Sequence, residues 1–177
     1  MKKVLILHAW CATPNDHWYQ WLEKELKKKN YKVIIPELKD KDNPTLDDWE
    51  SCALKDFTID KSTIMLGHSL GAVLALKIIQ DNNFKLDKLV TIAGWDFWDL
   101  TPEHESFFRE PIDHNDIKIK TKERYVIHSD TDPYITAWQA SEYAKRLDAG
   151  FKLVKGKGHF TDKDGVKRVT EIAKLLG

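Results

Sequence analysis

Cysteine is scarce in this sequence, which has only Cys11 and Cys52 among its 177 residues. Two cysteines cannot build a disulfide framework, and their spacing fits no metal site, so we expect a reducing compartment. Long apolar runs are missing as well. The apolar segment Val4–Leu7 is too short for the core of a signal peptide, and no run reaches the length of a membrane span. We therefore expect a cytoplasmic protein that does not bind a membrane.

Net charge is also missing, because 28 basic residues balance 28 acidic ones. This balance gives no reason to expect a nucleic acid as partner. The sequence contains neither H-E-x-x-H nor G-x-x-x-x-G-K-[ST], so metal-hydrolase and nucleotide-binding functions have no support. No repeat, low-complexity tract or linker divides the chain. We expect residues 1–177 to form one domain, large enough to bury roughly two-thirds of its unfolded surface.

Short segments rich in Val and Ile alternate with amphipathic segments along the whole chain. This alternation predicts βαβ units, and hence an α/β fold in which helices cover both faces of a mostly parallel sheet. The predicted strands are Lys3–His8, Tyr31–Pro36, Ser62–Leu66, Leu86–Ala93, Arg124–His128 and Phe151–Val154. The predicted helices are His17–Lys29, Leu46–Leu54, Ser69–Gln80, Thr136–Leu147 and Lys163–Leu176. The segment Thr101–Lys120 interrupts the pattern, and we expect an irregular excursion over the carboxyl edge of the sheet, where such folds bind ligands.

The pentapeptide Gly67-His68-Ser69-Leu70-Gly71 has the pattern G-x-S-x-G between a predicted strand and a predicted helix. A serine hydroxyl is a poor nucleophile unless the fold exposes it and a base takes its proton. A strand, a tight turn and a helix meet the first requirement. The start of the helix also presents the Leu70 amide to an oxyanion formed at the serine. The pattern therefore predicts Ser69 as a nucleophile.

A serine nucleophile needs a base, and the base needs an orienting carboxylate. The fifth predicted strand leads to two aspartates, Asp130 and Asp132, and the sixth leads to His159 in a glycine-containing loop. The chain order Ser, Asp, His matches enzymes with this strand–turn–helix serine. We prefer Asp132 as the acid because Asp-Pro before a helix start is the usual frame, with Asp130 as the alternative. Either aspartate could instead be only a turn former or helix cap, and His159 only a surface histidine.

The loop after the first strand should supply the second oxyanion donor. We expect the Trp10 amide in this role, with Cys11 as the alternative. The Cys11 thiol is interpreted as packed or lining the pocket, because no base is placed to activate it. The histidines His17, His104 and His114 are expected to be solvated. The side chains expected to contact substrate are Trp10, Cys11, His68, Trp95, Trp138 and Phe160.

Taken together, these motifs resemble the α/β-hydrolase superfamily, and within it the small serine hydrolases typified by retinoblastoma-binding protein 9 and the YdeN-like proteins. The resemblance rests on the stretches 17–21, 67–71, 106–111, 130–133 and 158–160. It implies a compact three-layer sandwich with a six-stranded sheet and no large lid domain. It also implies Ser69, Asp132 and His159 as a catalytic triad, and hydrolysis of short carboxyl esters.

Two departures from the family pattern stand out. Many members of the superfamily have His-Gly after the first strand, where this chain has His8-Ala9, and a Cβ there narrows the allowed backbone angles. No Leu-x-Cys-x-Glu stretch occurs, so binding to the retinoblastoma protein is not implied.

The sequence thus predicts a serine hydrolase that needs no metal or cofactor. It would cleave a carboxyl ester, thioester or activated amide of a small molecule through an acyl-enzyme on Ser69. The alternative is a binding or scaffold protein that keeps the fold with an idle site. A long distance between Ser69 and His159 would favour this alternative.

Overall fold

Six parallel strands form the central sheet of the computed structural model, which describes residues 2–176. The strands lie in the order β2-β1-β3-β4-β5-β6, and all five pairings between neighbours are parallel. The prediction of six strands in a mostly parallel sheet is therefore confirmed. The strands are β1 (Lys3–Leu7), β2 (Lys32–Ile34), β3 (Thr63–His68), β4 (Leu86–Ile92), β5 (Thr121–Ser129) and β6 (Gly150–Val154).

Helices cover both faces of the sheet and complete a three-layer sandwich. Alternate residues of a strand point to opposite faces, so Val4 and Ile6 of β1 pack with one set of helices and Leu5 and Leu7 with the other. The first core includes residues of α1 and α6, and the second includes residues of α2, α3, α4 and α5. The helices are α1 (Tyr19–Lys28), α2 (Leu46–Leu54), α3 (Leu70–Asp81), α4 (His114–Lys120), α5 (Ala137–Arg146) and α6 (Thr170–Leu175). In the described range, no helix is both long and apolar enough to cross a membrane.

The strand order reverses between β1 and β3, because the chain passes from β1 outward to β2 and then returns to β3. At such a point the connections leave in opposite directions and open a crevice beyond the carboxyl ends of the strands. Residues in the turns that follow β1 and β3, Ala9 and Ser69, line a cavity there. The topology thus places the predicted nucleophile at the sheet edge where ligands bind.

Most predicted elements differ from the structure by one to three residues at an end, and two segments differ by more. The last helix begins at Thr170 and not at Lys163, because Gly165 adopts a left-handed φ of 72° after a short 3-10 turn, Asp162–Asp164. The segment predicted as irregular contains a 3-10 helix, Pro102–Phe108, and the helix α4. Asp113 caps α4 by accepting hydrogen bonds from two amides of its first turn.

Candidate active site

Ser69 is the single residue between β3 and α3, and it has the unusual backbone angles φ 55° and ψ −124°. A positive φ is strained for a residue with a side chain, and such strain is typical of functional turns. Two glycines allow the turn. A Cβ on Gly67 would lie 2.3 Å from the carbonyl oxygen of Gly71, and a Cβ on Gly71 would lie 2.3 Å from that of Leu7. The pattern G-x-S-x-G is therefore required by the close approach of three backbone segments.

Ser69, His159 and Asp132 form a continuous chain of hydrogen bonds. The Nε2 atom of His159 lies 2.7 Å from the Ser69 Oγ, and its Nδ1 lies 2.8 Å from an Asp132 carboxylate oxygen. Because a carboxylate only accepts, we assign the His159 proton to Nδ1, which leaves Nε2 free to accept from the serine hydroxyl. The arrangement can therefore take a proton from Ser69.

The Asp132 carboxylate is buried and fully hydrogen-bonded. Its second oxygen accepts hydrogen bonds from the amides of Tyr134 and Ile135, at 2.9 and 3.1 Å. Burial would raise the pKa of Asp132, but the hydrogen bonds from His159 and from these amides outweigh burial and hold that pKa below its ordinary value. The carboxylate thus remains ionised beside the histidine.

Asp130, the alternative acid, has a different partner. Its carboxylate accepts a hydrogen bond from the Gly156 amide at 2.8 Å. The hydroxyls of the two flanking residues, Ser129 and Thr131, accept from the amides of residues 157 and 158. Ser129, Asp130 and Thr131 therefore fix the loop that carries His159, whereas Asp132, which follows them in the loop after β5 (the acid loop), contacts the imidazole.

His68 does not line the cavity, so its predicted contact with substrate is wrong. Its ring is fully buried, because it packs against the rings of Trp18 and Tyr19. The His68 Nε2–H donates to the backbone carbonyl of His159 at 2.8 Å, and its Nδ1 accepts from the Tyr19 hydroxyl at 2.7 Å. The Tyr19 oxygen in turn accepts from the Ala9 amide at 2.9 Å. This network connects the loop after β1, the serine turn and the histidine loop.

Replacing Tyr19 by Phe should destabilise the fold by about 2–4 kcal/mol, because it leaves the Ala9 amide and the His68 Nδ1 buried without partners. Urea denaturation measures this loss. Tyr31→Phe is the matched control. It removes one hydroxyl that donates to the Leu176 carbonyl at a half-buried position. We expect about 1 kcal/mol for the control, and equal losses in the two variants would contradict the role of the network.

Burial lowers the pKa of three histidines, His8, His68 and His128, below their ordinary value of 6.5. The unfolded chain therefore takes up protons below pH 6.5 that the folded protein does not. The free energy of unfolding should therefore decrease as the pH is lowered below 6.5. The decrease should be about 1.4 kcal/mol per pH unit for each histidine that stays neutral in the folded protein. Urea midpoints measured between pH 7.5 and 5.5 test this prediction, and in His68→Gln the midpoint should depend less steeply on pH. A midpoint that does not change with pH would contradict the predicted role of the buried histidines.

Two backbone amides are the candidate donors to an oxyanion, that of Leu70, directly after Ser69, and that of Trp10, in the wall of the cavity beside Ser69. Within residues 2–176, neither the Leu70 amide nor the Trp10 amide donates a hydrogen bond, whereas the Cys11 amide donates to the Lys41 carbonyl at 3.0 Å. This difference favours Trp10 over Cys11 as the second donor.

His8 fixes the orientation of the Trp10 amide. The His8 Nε2 accepts from the Leu38 amide at 3.2 Å, so its Nδ1–H donates to the Ala9 carbonyl at 2.9 Å. Since the Ala9–Trp10 peptide is planar and trans, a fixed carbonyl also fixes the opposite N–H. Ala9 itself does not adopt a positive φ, so its Cβ causes no strain there.

A cavity of about 490 Å³ lies over Ser69 and His159. The cavity is lined by three of the side chains that the sequence predicts to contact substrate, Trp10, Cys11 and Trp95. Trp138 and Phe160 do not line it, so these two predictions are wrong. Trp138 is 71% exposed on the outer face of α5, and Phe160 is buried in the core below the sheet edge. In the described range, no group of three or more His, Cys, Asp or Glu side chains is placed to hold a metal ion.

Sequence reasoning also missed residues that line the cavity. His104 was expected to be solvated, but it is buried in the cavity wall against Asp99. His17 is half-buried in the same wall, and His114 lies elsewhere, paired with Asp96. The further lining residues that the sequence did not indicate are Asp99, Thr101, Pro133, Tyr134, Ile135, Thr161, Lys163 and Asp164.

The sheet order, together with a serine at the sharp turn after β3, defines the compact α/β-hydrolase fold. The chain belongs to the serine hydrolase family, whose model matches residues 4–177. It is similar to YdeN of Bacillus subtilis, with 27% identity over 99% of this chain and 94% of YdeN. It is also similar to the serine hydrolase RBBP9 of Rattus norvegicus, with 23% identity over 90% of this chain and 86% of that protein. The crystal structure of the B. subtilis ydeN gene product superposes with a TM-score of 0.91, at 25% identity over 99% of this chain and 97% of that chain. The resemblance to the small serine hydrolases is therefore confirmed.

Proposed function

We propose that Ser69, His159 and Asp132 act as a catalytic triad that hydrolyses a carboxyl ester, thioester or activated amide of a small molecule. The observation that carries the proposal is the chain of hydrogen bonds from Asp132 through His159 to Ser69, at 2.8 and 2.7 Å. Within this proposal the whole chain, residues 1–177, serves as one hydrolase domain. The short distance between Ser69 and His159 weighs against the idle-site alternative.

In the first half of the reaction, the Ser69 Oγ attacks the substrate carbonyl carbon while His159 Nε2 takes the hydroxyl proton. The carbonyl oxygen becomes an oxyanion, which the amides of Leu70 and Trp10 bind. Asp132 holds the imidazole and stabilises its charged form. When the tetrahedral intermediate collapses, His159 gives the proton to the leaving group, and Ser69 retains the acyl group.

In the second half, water attacks the acyl-enzyme. His159 takes a proton from this water and returns it to the Ser69 Oγ as the acyl group leaves as an acid. The cavity volume of about 490 Å³ suits a small molecule. Aromatic and apolar side chains near the serine, Trp10, Trp95, Tyr134 and Ile135, favour a substrate with an apolar acyl or aryl group.

A fluorophosphonate probe tests whether Ser69 is activated. Intact-mass analysis of the folded protein should give a single adduct, mapped by peptide sequencing to Ser69, because only a serine paired with a base attacks phosphorus rapidly. The protein denatured in urea is the control and should give no adduct. A folded sample that forms no adduct would support the idle-site alternative.

A further inference from the structure

Side chains bind both polar main-chain groups of His159, the proposed base. The His159 amide donates to a carboxylate oxygen of Asp164 at 3.0 Å, and the His159 carbonyl accepts from the His68 Nε2–H at 2.8 Å. The imidazole projects from the Cα between these two groups, so the two bonds fix the point from which it reaches Ser69. His68 belongs to the buried network with Tyr19, whereas Asp164 lies in the cavity wall, and the proposed triad does not use it.

A single oxygen of Asp164 binds three donors. Its Oδ2 accepts from the His159 amide at 3.0 Å, from the Thr161 amide at 2.9 Å and from the Thr161 hydroxyl at 2.6 Å. Burial would raise the pKa of Asp164, but the hydrogen bonds from Thr161 and His159 outweigh burial and hold that pKa below its ordinary value. Hydrogen bonds to an ionised acceptor are about twice as strong as those between neutral groups. Asp164 is therefore a firm anchor for the His159 main chain.

Asp164 also completes the attachment of the loop that carries His159. The amides of residues 156, 157 and 158 each donate to a side-chain oxygen of the acid loop. The next amide is that of His159, and its acceptor comes from the 3-10 turn Asp162–Asp164. The three bonds from the acid loop thus end one residue before the proposed base, and Asp164 extends the attachment to the base itself.

Gly158 leaves room for this carboxylate. Gly158 has a positive φ of 50°, and a Cβ there would lie well inside van der Waals contact with the Asp164 Oδ1. Gly156 has a φ of 64° in the same loop, but among the described residues nothing would lie within 4 Å of a Cβ on Gly156. The backbone angle favours glycine at both positions, whereas only Gly158 is also required by the carboxylate.

We propose that Asp164 is a positioning residue that holds the imidazole of His159 within hydrogen-bond distance of Ser69. The proposal rests on the proposed function for its reaction. The His159 Nε2 lies 2.7 Å from the Ser69 Oγ, and a displacement of about 1 Å at such a contact can reduce turnover about 100-fold. Both half-reactions use His159, so loss of Asp164 should slow both, and the effect should appear in kcat and not in KM.

Two substitutions of Asp164 test this role with 4-nitrophenyl acetate. Asp164→Ala removes the acceptor and should lower kcat about tenfold, while KM stays within about a factor of three. Asp164→Asn keeps an oxygen that can accept the same hydrogen bonds, so kcat should stay within about a factor of three of its original value. A loss below threefold in Asp164→Ala, an equal loss in Asp164→Asn, or a change confined to KM would overturn the proposal.

Asp162→Ala is the matched control. It removes a carboxylate from the same 3-10 turn, but the Asp162 carboxylate accepts from the His17 amide at 2.8 Å, whereas Asp164 accepts from that of His159. We therefore expect kcat in this variant to stay within about a factor of three. A loss as large as that in Asp164→Ala would show that the turn as a whole matters, and would overturn the specific role of Asp164.

Alanine at the two glycines tests the same contact from the other side. Gly158→Ala places a methyl group where the carboxylate lies, so the carboxylate must move and kcat should fall about tenfold. Gly156→Ala has the same backbone cost without this contact, and kcat should stay within about a factor of three. In Gly158→Ala/Asp164→Ala, kcat should fall no further than in the single variants, because both remove one interaction. Losses that multiply would overturn the proposal. Thermal melting checks that each variant folds, and Gly158→Ala decides alone if Asp164→Ala does not.

A proton resonance separates failure of this proposal from failure of the proposed triad. The His159 Nδ1–H that donates to Asp132 should give a low-field NMR signal, which His159→Gln identifies by its absence. A mobile imidazole exchanges this proton with water, so the signal should broaden beyond detection in Asp164→Ala and persist in Asp164→Asn. This result would support the role of Asp164 even if no ester is hydrolysed. A signal equally sharp in the original protein and both variants would overturn it. The fluorophosphonate adduct reports on the triad separately.

Discussion

Replacing Ser69 by Ala should reduce kcat for a short ester such as 4-nitrophenyl acetate on the order of 10⁶-fold. In the proposed mechanism, Ser69 provides the atom that attacks the carbonyl, and His159 and Asp132 act only through its hydroxyl. Steady-state release of nitrophenol measures the loss, and the fluorophosphonate adduct should disappear in the same variant.

The variant should fold, since alanine keeps the Cβ of Ser69 and removes only the oxygen. Relief of an active-site constraint often leaves stability unchanged or slightly increased. The control is Ser51→Ala, at an exposed position of α2, which should keep both turnover and adduct. A Ser69→Ala protein with more than a tenth of the original activity would contradict Ser69 as the nucleophile.

Much of the candidate site could be predicted because the topology is simple. Ser69, Asp132 and His159 lie far apart in the chain, but each follows a strand of one parallel sheet. The carboxyl ends of parallel strands meet at one edge, so residues in these loops converge there. The strands themselves could be recognised because burial on both faces makes them continuous apolar runs.

The direction of side chains within loops could not be predicted in the same way. Phe160 directly follows His159 but has a positive φ of 60°, which turns its ring into the core. Cys11 and His17 have positive φ values as well, and a non-glycine residue gives no sequence signal for this conformation. The place of His104 could not be predicted because its neighbour Trp10 comes from a distant loop, the one after β1.

For Trp138 the sequence did carry a usable signal. The buried positions of α5 are Ala140, Tyr143 and Ala144, which follow the spacing of one helix face. Trp138 lies two residues before Ala140, about 200° around the helix, and therefore on the opposite face. The helical spacing therefore predicts that Trp138 is exposed, although it lies close to the acid loop in the sequence, and the observed exposure of Trp138 agrees with this prediction.

Replacing Asp132 by Asn should lower kcat about 10⁴-fold while the fold is retained. The amide nitrogen of Asn would donate to the His159 Nδ1, so the imidazole proton would move to Nε2. The Nε2 could then no longer accept the proton of Ser69, although the three side chains would keep their positions. Fluorophosphonate labelling should slow in parallel with ester turnover, and circular dichroism should be unchanged.

Asp130→Asn is the matched control, because it makes the same chemical change two residues away. The amide oxygen of Asn can still accept the hydrogen bond from Gly156 that Asp130 accepts, and no contact with His159 is altered. We therefore expect kcat to stay within about a factor of three, the equivalent of less than one net hydrogen bond. If Asp130→Asn caused the larger loss, the acid of the triad would be Asp130 and the observed contact between His159 and Asp132 would not be the catalytic one. If neither variant lost activity, His159 would not need an orienting carboxylate, and the triad would reduce to a serine–histidine pair.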